Sequence, residues 1–389
     1  MKVVIAGGGV AAIEAMIALR SLAEERVDIH LVSPTPQFAY RPLAVAEPFG
    51  LGRAHSYDLV GIARDHGAAL HLAGLQEVDP AVGCIVTWDG RRLDYDLLLV
   101  AVGARSVPAL PGSITVAGPG YTSRFRTLLR ELDEHRVHDV AFAVPSASSW
   151  PLPLYELTLM TAAHVAERGL RKVALTLVTP EARPLEMFGA DASGAVGELL
   201  ESRGVTVLTG HSSVEFHDGR LELLGGESLR AERVVSQPRL EGPRLRGLPH
   251  DNRGFIPVDR HGRVEGHDDV YAAGDATNSA LKQGGVAAQQ ADSAAEAMAA
   301  RAGADITPTP FRPVLRGMLL TGESPRYIRA EVTGGRGEES EISEHALWWP
   351  PAKIAGRHIA PYLALRGDDL RSGLDGMPVE VAVEPVANA

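Results

Sequence analysis

The pattern with the most direct chemical meaning is Gly7-x-Gly9-x-x-Ala12. At a strand-to-helix junction Gly7 permits a tight turn, Gly9 lets the backbone approach a pyrophosphate, and Ala12 lets the helix lie close to the strand. The free N–H groups of the first helical turn, Val10 and Ala11 included, would then face phosphate oxygens. A second group lies far along the chain. Gly274-Asp275 ends an apolar run, so its carboxylate can accept hydrogen bonds from cofactor hydroxyls, and Gly284-Gly285 open a long helix whose positive end can stabilise an electron-rich ring. Lys282 stands just before that helix, either adding a full charge there or lying solvated. Arg41 sits on a loop where open α/β sheets bind ligands, as a cofactor contact or a surface arginine. Glu156 begins a helix, satisfying its dipole or facing a redox cavity.

These residues need elements to hold them. Residues 2–6 (KVVIA) read as a strand buried on both faces, 13–19 as helix, and 28–33 (DIHLVS) as the second strand of a βαβ unit. That strand ends in Ser33, which offers a ribose only a neutral hydrogen bond in place of the usual acid. Residues 34–43 hold too much proline for a helix or central strand. Residues 97–100 form a buried strand that runs into Ala101-Val102-Gly103, small enough for a cofactor's close approach or for plain packing.

The strand-turn-helix-strand order then repeats: strand 140–144, a turn at 145–153, helix 154–168, strand 173–178, helix 191–203 and strand 205–208. The repeat predicts a second dinucleotide-type unit. Its turn contains no glycine and three prolines, which lack the N–H groups that would hold a pyrophosphate. Pro238, Pro243 and Pro249 mark a return to the first unit, where 254–259 and 270–276 read as strands. The tail contains Trp348-Trp349, expected to pack on the body, with a docking or membrane role as the alternative. Residues 375–389 read as a loose terminus.

The fold class expected is therefore α/β, with two Rossmann-like three-layer dinucleotide-binding domains and a C-terminal segment. The boundaries expected are 1–112 with 250–305, then 113–249, then 306–389. A chain of 389 residues accommodates this. The net charge of −11 argues against a nucleic-acid partner. The single cysteine, Cys84, excludes an intramolecular disulfide and reads as buried and structural. No stretch has the length of a membrane span, so a cytoplasmic location is the expectation. The fourteen histidines show no ligand spacing, and no metal is assigned.

Together, the glycine turn, Leu98 to Ala104 (LLVAVGA), the inserted second unit and Val270 to Ala276 (VYAAGDA) resemble the two-dinucleotide-domain flavoproteins of the pyridine nucleotide–disulfide reductase superfamily. Phe38 to Leu43, Pro153 to Glu156 and Val178 to Glu181 are most similar to the branch holding sulfide:quinone oxidoreductase and type II NADH dehydrogenase. The resemblance implies FAD bound by Gly7, Gly9, Val10, Ala11, Ala12, Ser33, Arg41, Val78, Ala101, Val102, Gly103, Gly274, Asp275, Lys282, Gly285 and Val286. Lys282 and Glu156 are the candidate catalytic groups. The sequence departs from both relatives. No cysteine follows residue 84, and no glycine turn occurs in the second unit, so thiol chemistry and NAD(P) are both disfavoured.

Three functions remain in view. The first is a FAD-dependent oxidoreductase with a cysteine-independent mechanism, acting on a small-molecule substrate or a quinone-like acceptor. The second is an NAD(P)H:acceptor dehydrogenase, and the third a FAD-binding protein without turnover that acts through a protein partner. Peripheral membrane contact and a homo-oligomer stay open.

Overall fold

The computed structural model describes all residues except 119, 147, 149, 334, 335 and 367–389. The expected loose terminus at 375–389 lies outside the described residues.

The first sheet is parallel and five-stranded. Its order is Val270–Ala272, Leu97–Val100, Lys2–Ala6, Asp28–Ser33, Ala69–Leu72. Period-two alternation divides its side chains between two faces. Val3, Ile5, Leu97 and Leu99 pack under the helices Val10–Ala23 and Gly284–Arg301, while Val4, Ala6, Leu98 and Val100 face the other way. Both helices are rich in alanine, which lets them lie close to the sheet and to each other. The opposite face is covered by an antiparallel meander, Leu75–Asp79, Cys84–Thr87 and Arg92–Asp94. The three layers are thus helix, sheet and meander.

The second sheet repeats the plan, with all five strands parallel: Ile114–Thr115, Arg233–Ser236, Asp139–Ala143, Ala174–Val178, Val205–Leu208. Val140 and Phe142 face the helices Tyr121–Asp133 and Leu152–Glu167. Ala141 and Ala143 face a second meander that carries Leu221 and Leu223. The chain crosses between the sheets twice, and the crossings Arg105–Pro108 and Pro238–Glu241 pair antiparallel.

A three-stranded antiparallel sheet, Val314–Leu319, Arg326–Thr333 and Arg336–Ser343, lies against the helix Leu152–Glu167 and also touches Gly284–Arg301. Of the two adjacent tryptophans, Trp348 packs edge-on against Tyr327 and donates its indole N–H to the Ala352 carbonyl at 2.9 Å. Trp349 is 70% exposed.

One expectation is corrected. Residues 254–259 form no strand; Ile256 and Val258 make single bridges only, and Pro257 has no N–H for a ladder. The run at 34–43 is neither helix nor central strand, in keeping with its prolines: Gln37–Tyr40 pairs antiparallel with His55–Asp58 in a separate two-stranded sheet. Among the described residues no helix is long and apolar enough to cross a membrane.

Candidate functional site

The glycine turn has the geometry of a cradle. Gly7 N donates to Val32 O at 2.8 Å, and a Cβ at Gly7 would lie 2.2 Å from the Ala101 carbonyl oxygen. The turn is therefore pressed against the end of strand Leu97–Val100, and only glycine fits there. Gly9 differs, since a Cβ there would meet nothing within 4 Å. The helix Val10–Ala23 begins at this open space with no side-chain cap, and its first internal bond is Ile13 N to Gly9 O. The N–H groups of Val10, Ala11 and Ala12 are the orphan donors of a helix start. With the helix dipole behind them, they suit an anionic pyrophosphate.

Gly274 closes this end of the sheet. Its φ is +74°, its N donates to Gln290 Oε1 at 2.7 Å, and a Cβ would stand 3.2 Å from that of Ala11. Asp275 follows, half-buried, with its carboxyl pKa raised by burial and partly held down by Lys282. Val102 is 37% exposed beside the turn, an apolar surface at a strand end.

Asp275 lines a cavity of about 240 Å³ where both sheets and the C-terminal segment meet. Arg41, Lys282, Gln283 and Gly284 contribute from the first unit; Tyr121, Trp150, Leu152, Pro153 and Glu156 from the second; Arg316, Met318, Lys353 and Ile354 from the tail. Glu156 is fully buried. Both its oxygens accept from Lys353 Nζ, at 2.6 and 2.7 Å, and Oε1 also accepts from Leu320 N at 2.9 Å. Burial raises its pKa against the pull of Lys353. Glu156 lies beyond the first helical turn, so the helix dipole does not account for it.

Lys282 is 8% exposed. Its ammonium donates to the carbonyls of Asp275 and Thr277 and lies 4.0 Å from the Phe255 ring centre. Burial lowers its pKa to about 8. Lys282 lines the cavity while its hydrogen bonds hold the loop that carries Asp275.

Four of the expected cofactor contacts already have partners within the chain. Ser33 is buried and its hydroxyl donates to Thr35 O at 2.9 Å, so it serves the chain's own turn. Val78 packs inside the core under the first sheet, and its N–H is taken by Arg246 O. Val286 donates its N–H to Gln283 Oε1 and buries its side chain, and Gly285 lies behind the same glutamine. Gln283 and Gly284 reach the cavity in their place.

Arg316 and Lys353 were not singled out from the sequence, because no local spacing joins a tail strand to a turn of another unit. Cys84 is fully buried in the first meander, outside the cavity lining. Among the described residues no cluster of His, Cys, Asp or Glu is placed to hold a metal ion.

Three comparisons bear on this site. The family described as pyridine nucleotide-disulphide oxidoreductase matches residues 158–294. The sulfide-quinone reductase of Aquifex aeolicus is 28% identical over 206 residues, 51% of this chain and 47% of that protein. The external alternative NAD(P)H-ubiquinone oxidoreductase B2 of Arabidopsis thaliana mitochondria is 25% identical over 316 residues, 70% of this chain and 54% of that protein. These matches span about half the length of each curated relative. Among solved structures, the sulfide:quinone oxidoreductase of Aquifex aeolicus superposes with a TM-score of 0.78 at 20% identity, covering 97% of this chain and 92% of that one. The Arabidopsis relative is named for NAD(P)H, so the expectation that this chain dispenses with NAD(P) finds no support among its relatives.

Proposed function

We propose that this chain, which belongs to the FAD-binding pyridine nucleotide–disulphide oxidoreductase superfamily, is a FAD-dependent oxidoreductase with a cysteine-independent mechanism. It would exchange electrons with a small organic or quinone-like molecule. The observation that carries this is the shared cavity, in which Asp275 and Lys282 from the cofactor side meet Glu156 and Lys353 with no cysteine in the lining. We assign residues 1–112 with 250–305 to the cofactor unit, 113–249 to the second unit and 306–389 to the C-terminal segment.

The open helix start at Gly9 to Ala12 would take the cofactor's pyrophosphate, Asp275 its hydroxyl groups, and Arg41 a phosphate or ring edge. Bound there, FAD supplies two-electron redox chemistry to the cavity. Lys282 fixes the Asp275 loop and presents positive charge to the cavity. Glu156 holds or releases a proton at its carboxyl oxygens, and Lys353 stabilises the carboxylate left behind. The apolar wall of Trp150, Leu152 and Met318 excludes water from that exchange.

The test is an absorbance spectrum of the purified protein, followed by anaerobic reduction and reoxidation with quinones, dyes and oxygen. A bound flavin that cycles supports the proposal. A protein that takes up no FAD, or whose reduced flavin nothing reoxidises, overturns it.

One observation favours NAD(P)H as the electron donor. Glu181 follows strand Ala174–Val178 and lines a second cleft of about 220 Å³, the place where dinucleotide folds put a ribose-binding acid. Against it, Glu181 already accepts from Tyr155 and Thr179, and Pro151 and Pro153 remove N–H groups from the neighbouring helix start. Stopped-flow mixing with NADH and NADPH decides between them, since rapid flavin bleaching would establish the nicotinamide donor.

A further inference from the structure

The main cavity carries a charge imbalance that its own residues do not resolve. Arg41, Lys282, Arg316 and Lys353 line it against two carboxylates, Glu156 and Asp275. Lys353 is committed to both oxygens of Glu156, and Lys282 to two backbone carbonyls beside Asp275. Arg41 lies exposed at the rim, on the side assigned to the cofactor.

Arg316 is in a different position. It belongs to strand Val314–Leu319 and is half-buried at the cavity wall. Its backbone is fixed, since its carbonyl accepts from Gln283 Nε2 and Gly317, the next residue, pairs with Ile328 across the sheet. Its guanidinium has no hydrogen-bond acceptor or carboxylate among the described residues. The charge that acts on it is Arg329, a like charge, and with burial this pushes its pKa down. A guanidinium keeps its proton at neutral pH regardless, so this cation stands partly desolvated and, among the described residues, without a counter-ion. Such a group is stabilised by an anion that enters the cavity, most strongly by a planar one that matches the two-pronged donor geometry. The rest of the wall around it is apolar: Val45, Val116, Trp150, Leu152, Met318 and Ile354.

We propose that Arg316 is a substrate-binding residue, and that the molecule exchanging electrons here is an organic carboxylate with an apolar body. The assignment rests on the flavin function proposed above. The guanidinium takes the carboxylate, and the ring of apolar side chains covers the remainder. Neutral molecules of the same shape are selected against, because they leave Arg316 unpaired.

Isothermal titration calorimetry of benzoate and its neutral isostere benzamide into the purified protein tests this directly. Wild type is expected to bind benzoate at least about tenfold more tightly than benzamide, and Arg316→Met to weaken benzoate about 30-fold while leaving benzamide unchanged. Arg316→Lys, which keeps the charge but not the fork, falls between them. Arg329→Met, which removes a like charge from the same sheet outside the cavity lining, does not produce the loss of benzoate binding that Arg316→Met does. Equal affinity of wild type for the two probes, absence of benzoate binding, or an unaffected Arg316→Met overturns the proposal. So does a result in which Arg316→Met shifts only the flavin reduction potential, for then the cofactor is its partner. Flavin absorbance read in the same samples keeps the two proposals apart. Bound flavin without benzoate preference refutes the carboxylate alone; absent flavin refutes the oxidoreductase function beneath it.

Discussion

Lys353 and Glu156 are 197 residues apart in the chain, yet Lys353 Nζ lies 2.6 and 2.7 Å from the two oxygens of the Glu156 carboxylate. Both side chains are nearly inaccessible, at 8% and 0% exposure. The pair joins helix Leu152–Glu167 of the second unit to the C-terminal segment at the cavity wall. A carboxylate withdrawn from water is tolerated there because an ammonium and the Leu320 N–H complete its hydrogen bonding.

Removing one partner should cost more than removing both. Lys353→Met leaves Glu156 buried without its counter-ion, an expected loss of about 3–5 kcal/mol in unfolding free energy. The double variant Glu156→Leu/Lys353→Met should recover much of that loss while abolishing proton exchange at this site. Urea denaturation of the two single variants and the double variant checks it; additive losses would show that the two groups are not coupled.

Gly7 and Gly9 should respond in opposite ways to a side chain. Gly7→Ala forces a Cβ to within 2.2 Å of the Ala101 carbonyl, so the turn itself must shift and the melting temperature should fall. Gly9→Val meets open space from a backbone at φ −99° that any residue adopts. Its stability should stay within about 0.5 kcal/mol of wild type. Its FAD affinity should drop by about tenfold or more, because the new side chain occupies the space in front of the helix N–H groups. Thermal melts read beside retained flavin absorbance separate the two effects.

Local signals were legible because local geometry creates them. Strand Lys2–Ala6 and its turn are short-range features, and the missing glycines after strand Asp139–Ala143 likewise declare themselves in one dimension. The pairing of short runs into a meander over each sheet was not legible, since strands such as Arg92–Asp94 are too short for a periodic pattern. Ser33 and Val78 looked available by position, but whether a hydroxyl or amide is already engaged depends on tertiary neighbours such as Thr35 and Arg246. The Lys353–Glu156 pair and Arg316 are products of packing between distant segments, which no spacing rule records.

Lys282 should make alkaline stability rise. Its folded pKa is lowered to about 8, whereas the ordinary value is 10.5. Between those values the unfolded chain binds the proton more than the folded one, so stability rises with pH across that window. Below about pH 8 the cost of the buried charge is fully present. Comparing wild type with Lys282→Met removes the contributions common to both. The difference in urea midpoint between pH 7.5 and pH 10 should move in favour of wild type, and a constant difference would contradict the assigned shift.

Asp292 should do the reverse at acid-to-neutral pH. It sits on helix Gly284–Arg301 beside Glu14 of helix Val10–Ala23, and burial with the neighbouring Glu14 charge raises its pKa to about 8 from 3.8. Glu14 is itself buried and accepts the N–H groups of His358 at 2.8 Å and Ile359 at 2.6 Å, tying the last described helix to the first. His358, with its pKa lowered mainly by burial, faces Asp292 at 3.8 Å, and Arg357 and Glu296 lie at the edge of the same cluster. A folded pKa above the unfolded value gives stability that is complete below about pH 4 and is lost as pH rises toward 8. Asp292→Asn cannot ionise, so its melting temperature should match wild type near pH 4 and exceed it increasingly up to pH 8. Folding of the wild type at pH 7 should also take up a proton, read as a dependence of the calorimetric unfolding enthalpy on the buffer's ionisation enthalpy. Parallel melting curves for the two proteins across pH 4–8, with no buffer dependence, would mean that Asp292 is already ionised in the folded state and that the contact between the two helices holds two full charges.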